Sequence, residues 1–288
     1  MRDPVQEFIE LRLDDGRNVL TGIERRGAGT PIVLLHGVGG NAMWFSSLMT
    51  ALNGRRVIAL DMPGHGGSTG VSSWEMEPLA ELIFASSRQL VNGPVICGGH
   101  SWGGKLAAII AARHPQTAEG LLLLDPSPAC GTAVPAEVFV DMTYASELGP
   151  WPSLDEAKHS VRKLPQYSGW NKDLERAFER GLARGADGMM RARISRPTLI
   201  AISSGHLKDH SEAIRKVTCP ALLAVADESL FWQEQTNFPL LLHATRAVIR
   251  SNHWLMTGNP AELNWVVDSW LAAAIDRTLR EPKSASAR

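Results

Sequence analysis

The residues best equipped to do chemistry in this sequence are Gly99-His100-Ser101-Trp102-Gly103. They follow the apolar run Val95-Ile96-Cys97 and precede a stretch, Trp102 to Arg113, whose apolar spacing suits a helix. A serine on a sharp strand-to-helix turn holds its hydroxyl clear of the backbone, where it can attack a carbonyl carbon. Glycines two positions to either side remove the collisions that side chains would make across so tight a turn. The helix that begins at Trp102 directs unpaired N–H groups and the positive end of its dipole at an oxygen that becomes anionic. Ser101 is the candidate nucleophile, and the Trp102 N–H is a candidate oxyanion donor.

Acyl transfer needs a second such donor, from a loop whose backbone can approach the substrate closely. Leu35-His36-Gly37-Val38-Gly39-Gly40 offers one, again directly after an apolar run, and the Val38 N–H is the simplest choice. The loop matches neither the phosphate-binding G-x-x-x-x-G-K-[ST] pattern nor the dinucleotide G-x-G-x-x-G pattern. His36 reads as a structural hydrogen-bonding residue beneath it.

These turns must be carried by a sheet. Short runs rich in Val, Ile and Leu alternate with helical patterns, which predicts a mainly parallel sheet with helices on both faces. A hairpin is expected first, from Phe8 to Leu13, around Asp14-Asp15-Gly16, and on through Val19 to Ile23. Buried strands follow at Ile32 to Leu35, Val57 to Leu60, Val95 to Cys97, Leu121 to Leu124, Ala221 to Ala226 and Val248-Ile249. Helices are expected over Ala42 to Leu52, Glu75 to Val91, Trp102 to Arg113 and Ala261 to Arg277. From about Pro126 to Val217 the rhythm breaks into helix-like patches mixed with Pro and Gly. So long an excursion reads as an inserted helical cap. The domain reading is therefore 1–126 and 218–280 as an α/β core, 127–217 as a helical cap or lid, and 281–288 as a flexible tail.

Taken with Asp61-Met62-Pro63-Gly64-His65-Gly66-Gly67-Ser68 and Asn252-His253-Trp254, these stretches resemble the α/β-hydrolase superfamily, over nearly the whole chain. The resemblance implies a mostly parallel, doubly wound sheet with an inserted cap, and a catalytic order of serine, acid, histidine. His253 fits the last place: it follows the final strand and precedes a terminal amphipathic helix with Pro260 near its start. The other histidines fall in motifs already assigned (His65, His100) or in helical or cap-like surroundings (His114, His159, His206, His210, His243). The Asp61 stretch resembles a loop whose role in the family is mainly structural.

The acid departs from the family pattern. An ungapped comparison puts Ser229 where the family carries its carboxylate, and a small deletion would let Asp227 serve instead. Asp227 is the first choice. Asp125, which ends the strand Leu121 to Leu124, is a rival because some members place their acid there, and Glu228 is a third. Whichever serves must fix the imidazole tautomer and stabilise the imidazolium.

What the resemblance implies is acyl transfer by a serine hydrolase on a carboxylic ester or lactone, with His253 as base, the Val38 and Trp102 N–H groups as oxyanion donors, and neither metal nor organic cofactor. Ser101 stands where dehalogenases and epoxide hydrolases carry an aspartate. Carbon–carbon bond hydrolases of this fold share the residue set, and some proteins of this fold are inactive ligand-binding relatives. The bulk composition agrees with a small partner that is not a polyanion, and the Trp and Met residues of the cap suggest an apolar pocket for the ester or lactone. The 29 Lys and Arg balance 30 Asp and Glu along 288 residues, with no basic stripe for nucleic acid and no polybasic run for a membrane surface. Cys97, Cys130 and Cys219 lack metal or disulfide spacing. Met1-Arg2-Asp3-Pro4 opens no apolar leader and no run spans a bilayer, so a cytoplasmic protein is expected.

Overall fold

A computed structural model describes residues 8–229 and 244–276. The expected tail 281–288, His243, Arg277 and the apolar residues Leu230 and Phe231 lie outside the described residues.

The strands are β1 (Ile9–Asp14), β2 (Val19–Arg25), β3 (Ala28–Leu35), β4 (Arg55–Leu60), β5 (Val95–His100), β6 (Ala118–Leu124), β7 (Leu182–Arg184), β8 (Met190–Ala192), β9 (Ala221–Glu228) and β10 (Ala244–Asn252). Eight of them form one sheet in the order β1-β2-β4-β3-β5-β6-β9-β10. The β1–β2 hairpin joins β4 antiparallel, and every other pairing in this sheet is parallel. The helices are α1 (Ser46–Ala51), α2 (Met76–Ser87), α3 (Trp102–Arg113), α4 (Ala136–Tyr144), α5 (Leu154–Val161), α6 (Lys172–Arg180), α7 (Arg196–His206), α8 (Ser211–Ile214), α9 (Leu255–Gly258) and α10 (Pro260–Trp270).

Side chains alternate between the faces of a strand, and here both faces are apolar because both are covered. Ile32 and Leu34 of β3 pack into one core with Ile96, Leu122, Leu222 and, from α10, Leu263, Val267 and Trp270. Val33 and Leu35 pack into the other with Cys97, Leu121, Leu123 and, from α2 and α3, Leu79, Ile83, Leu106 and Ile109. This two-sided burial is why the strands read as continuous apolar runs.

The expected helix from Ala42 begins as a short 3₁₀ turn, Ala42–Phe45, capped by the Asn41 side chain accepting from the Met43 N–H. The terminal helix ends at Trp270 and continues as a π turn, Leu271–Asp276. Between β6 and β9 the chain forms α4 to α8, and also the short antiparallel pair β7–β8. Strands of three residues are too short to leave a period-two signal. Trp151, Tyr167, Leu174 and Phe178 of this inserted segment belong to the same apolar cluster as Ile32 and Leu34 of the sheet.

Candidate active site

Parallel strands end on one edge of the sheet, and the loops leaving that edge carry the site. Ser101 sits between β5 and α3 with φ 52° and ψ −120°. Asp125, directly after β6, has φ 42°. Among the described residues these two are the non-glycine positions with positive φ. That conformation costs about 1–3 kcal/mol each and is held only where the surroundings fix it. At Ser101 they do. A Cβ on Gly99 would lie 2.4 Å from the Gly103 carbonyl carbon, and one on Gly103 would lie 2.1 Å from the Leu35 carbonyl oxygen. Gly99 therefore permits the turn itself, whereas Gly103 permits α3 to press against the end of β3.

The Ser101 hydroxyl lies 3.0 Å from His253 Nε2, and His253 Nδ1 lies 2.6 Å from Asp125 Oδ2. Asp125 is fully buried. Its Oδ1 accepts from the Ala226 N–H at 3.1 Å, and its Oδ2 also accepts from the Ser229 hydroxyl at 2.7 Å. A carboxylate so placed orients the imidazole with its proton on Nδ1, leaving Nε2 free to accept the serine proton. His253 is fixed from behind as well: the His100 Nε2–H donates to the His253 carbonyl at 2.9 Å.

The expectation that Asp227 faces the histidine is corrected by this geometry. Asp227 is exposed, and its Oδ1 accepts from the Ser251 N–H at 2.8 Å. It lies near the end of β9, where its carboxylate serves the backbone of the neighbouring strand β10. Glu228 is likewise exposed. Ser229, at the family's acid position in an ungapped comparison, contributes a hydroxyl to the Asp125 carboxylate instead.

Of the two expected oxyanion donors, Trp102 directly follows Ser101 in the chain and Val38 lines the same cavity as Ser101. The Val38 and Trp102 N–H groups donate to no other described residue. Trp102 is the first residue of α3, whose N–H has no partner within the helix. Two buried histidines shape the loop around Val38. His36 Nε2 accepts from the Met62 N–H at 2.8 Å, so its Nδ1–H donates to the Gly37 carbonyl at 2.7 Å. His65 Nε2 accepts from the Gly39 N–H at 3.0 Å, and its Nδ1–H donates to the Pro63 carbonyl at 2.9 Å. Burial lowers both rings, His36 to about 3 and His65 to about 4, so both remain neutral acceptors near neutral pH.

Asp61 links this loop to the inserted segment. It accepts from the Ala42 N–H at 2.9 Å and the Thr21 hydroxyl at 2.6 Å, and it pairs with Arg180 of α6 at 2.8 Å. Burial alone would raise its carboxyl, but Arg180 and the hydrogen bonds outweigh that and hold it below its ordinary value.

Three side chains outside every motif of the sequence, Ser127, His206 and Lys105, also belong here. Ser127 Oγ lies 3.3 Å from Ser101 Oγ and 3.5 Å from His206 Nε2. Burial first, then the charge of Lys105, pushes His206 well below its ordinary value. Lys105, buried on α3, donates to the His206 and Lys208 carbonyls at 2.8 and 3.0 Å, pinning the end of α7 to the helix that starts at the serine. Burial lowers Lys105 to about 8. A buried lysine and a histidine at a helix end carry no spacing signal that pairs them.

A cavity of about 260 Å³ opens over Ser101 and His253. Val38, Trp44, Phe139, Tyr144, Glu147 and Trp254 are among its walls, and no Lys or Arg lines it among the described residues. Also among the described residues, no three His, Cys, Asp or Glu side chains gather as a metal set, and no helix is long and apolar enough to cross a membrane.

Comparison with known proteins agrees with this architecture. The chain is 28% identical over 224 residues to the 2-(acetamidomethylene)succinate hydrolase of Mesorhizobium japonicum, covering 77% of this chain and 79% of that one. It is 31% identical over 244 residues to the pimeloyl-[acyl-carrier protein] methyl ester esterase of Chromobacterium violaceum, covering 83% and 85%. Several further matches span half or less of the relative's length. The solved structure of E-2-(acetamidomethylene)succinate hydrolase superposes with a TM-score of 0.79 at 23% identity, over 92% of this chain and 99% of that one, which is a likeness of fold. Residues 30–205 match the sequence profile described as alpha/beta hydrolase fold, and the chain belongs to that family.

Proposed function

We propose that the protein is a serine hydrolase that cleaves a small carboxylic ester or lactone through Ser101, His253 and Asp125. The observation that carries this reading is the unbroken relay from Ser101 Oγ to His253 Nε2 and from His253 Nδ1 to Asp125 Oδ2, at 3.0 and 2.6 Å, beneath a cavity. His253 takes the hydroxyl proton as Ser101 Oγ bonds to the carbonyl carbon. The carbonyl oxygen, now anionic, is met by the Val38 and Trp102 N–H groups. Collapse breaks the carbon–oxygen bond of the ester, and His253 returns its proton to the departing alkoxide. In a lactone that alkoxide stays tethered to the acyl group. Water, deprotonated by the same imidazole, then releases the acid and restores the serine. Nothing in these steps calls for a metal or an organic cofactor.

The cavity walls narrow the substrate. A succinate-type dianion, such as the name of the Mesorhizobium relative describes, would meet Glu147 and no lysine or arginine among the described lining residues. Uncompensated like charge in a desolvated site is strongly unfavourable. A substrate that carries no negative charge on its acyl part suits the Trp44, Phe139 and Met256 walls, in line with the methyl ester esterase relative. A cytoplasmic place of action fits three free thiols, one of them buried.

The test is turnover of a panel of short p-nitrophenyl esters and five- and six-membered lactones by the wild type and by Ser101→Ala. Hydrolysis by the wild type that disappears in Ser101→Ala, with unchanged melting, supports the reading. Turnover retained in Ser101→Ala contradicts it.

A further inference from the structure

The cavity has a polar wall that the acyl-transfer cycle does not use. Glu147, just beyond the end of α4, lines it together with Gln166, and it also borders a smaller adjoining cavity walled by Trp44, Tyr144 and Tyr167. Its carboxylate accepts from the Gln166 amide and, at 3.2 Å, from the Tyr167 hydroxyl. Both donors are neutral. Among the described residues no Lys, Arg or His pairs with it. Glu147 is half-buried, and a carboxylate partly withdrawn from water gains from pairing with a cation, because neutral hydrogen bonds do not fully replace the lost hydration. The strain shows in the ionisation of the group: burial pushes Glu147 up to about 7, against the lowering by Tyr167 and Gln166.

The surroundings indicate what would supply the missing charge. Trp44, Phe139, Tyr144 and Trp254 line the same cavity. Trp44 packs against Tyr167, one of the carboxylate's two donors, with ring centroids 5.8 Å apart. Aromatic faces attract cations through the ring quadrupole, and most strongly where water is excluded. A largely apolar cavity with one carboxylate held by neutral donors, several aromatic rings and no Lys or Arg among its described walls, where burial also lowers His36, His100 and His206, suits a cationic group of the substrate better than an anionic one.

We infer that Glu147 and the aromatic walls around it form a subsite for a positively charged group, so that the substrate is an ester or lactone carrying an ammonium or quaternary ammonium on the part held against α4. This deepens the proposed hydrolase function and rests on it for the place of the scissile bond, but the cation subsite is testable without turnover. Recognition by charge also separates such a substrate from neutral esters of the same shape.

The test compares choline with 3,3-dimethylbutan-1-ol, its neutral carbon isostere, as ligands that slow fluorophosphonate labelling of Ser101. The inference expects choline to protect the wild type at about tenfold lower concentration, and Glu147→Gln to abolish that difference. Equal protection by the two ligands in the wild type overturns it, whatever the variant does. A choline preference that survives Glu147→Gln also overturns the assignment to Glu147. The unprotected labelling rate reports the triad separately. If Ser101 forms no adduct, the hydrolase reading fails by itself, and the same two ligands titrated against intrinsic tryptophan fluorescence still decide the cation subsite, by the same tenfold criterion.

Discussion

Asp125 and His253 stand 128 positions apart in the chain, yet Asp125 Oδ2 and His253 Nδ1 lie 2.6 Å apart. Adjacent strands create that proximity. Leu124 of β6 pairs with Ala224 of β9, so the chain leaving β6 runs beside Ala226, whose N–H holds the other carboxylate oxygen. The parallel β9–β10 pairing then brings the loop after β10 to the same edge.

Asp125→Asn is expected to lower kcat by about four orders of magnitude, because an amide at that place favours the wrong imidazole tautomer. Asp227→Asn should keep turnover within about threefold, since among the described residues its exposed carboxylate accepts a backbone N–H and does not meet His253. Steady-state kinetics of both variants on one ester decide the matter. A large rate loss in Asp227→Asn with Asp125→Asn active would return the acid to Asp227.

Stability should fall as pH drops from about 7 toward 5. In the unfolded chain a histidine titrates near its ordinary 6.5, while His36 and His65 in the folded chain titrate near 3 and 4. Between those values the unfolded state holds more protons, so acidification favours it, by on the order of 1–2 kcal/mol per ring at about pH 5. His100 and His206 are also lowered by burial and act in the same direction. Glu147, raised to about 7, opposes them, since its folded form binds the proton first. Four rings against one carboxyl leave a net loss. Thermal melts at about pH 7.5 and about pH 5 check this, and His65→Gln should flatten the slope. A melting temperature that rises on acidification would contradict it.

Gly103→Ala should destabilise the fold by about 3 kcal/mol or more, because the added methyl meets the Leu35 carbonyl oxygen at 2.1 Å and neither backbone can yield. Gly93→Ala, whose new methyl meets no atom within 4 Å, is the control and should melt like the wild type. Thermal denaturation of the pair measures the difference. Equal melting would mean that α3 does not press against β3 as described.

Local constraint decides how much of this was legible in the sequence. The elbow around Ser101 is written in residues 99 to 103, since its sterics are those of five consecutive positions. The sheet was legible because burial on both faces leaves uninterrupted apolar runs, as in Ile32 to Leu35. The acid was not legible. Asp125 and Asp227 both end strands on the same edge, and choosing between them requires knowing which strand end looks toward the loop after β10. Ser229 carried a usable hint, since a hydroxyl at the family's carboxylate position implies that the carboxylate has moved elsewhere. Ser127, Lys105, Arg180 and His206 gave no hint, because their partners are set by how the inserted segment folds back.

The most direct measurement of the central claim is the intact mass of the wild-type protein after incubation with a fluorophosphonate, with the adduct mapped by peptide sequencing. The account predicts one adduct per chain, on Ser101, forming at a rate that collapses in His253→Ala and Asp125→Asn. An unmodified protein, or an adduct on any other serine, would contradict it.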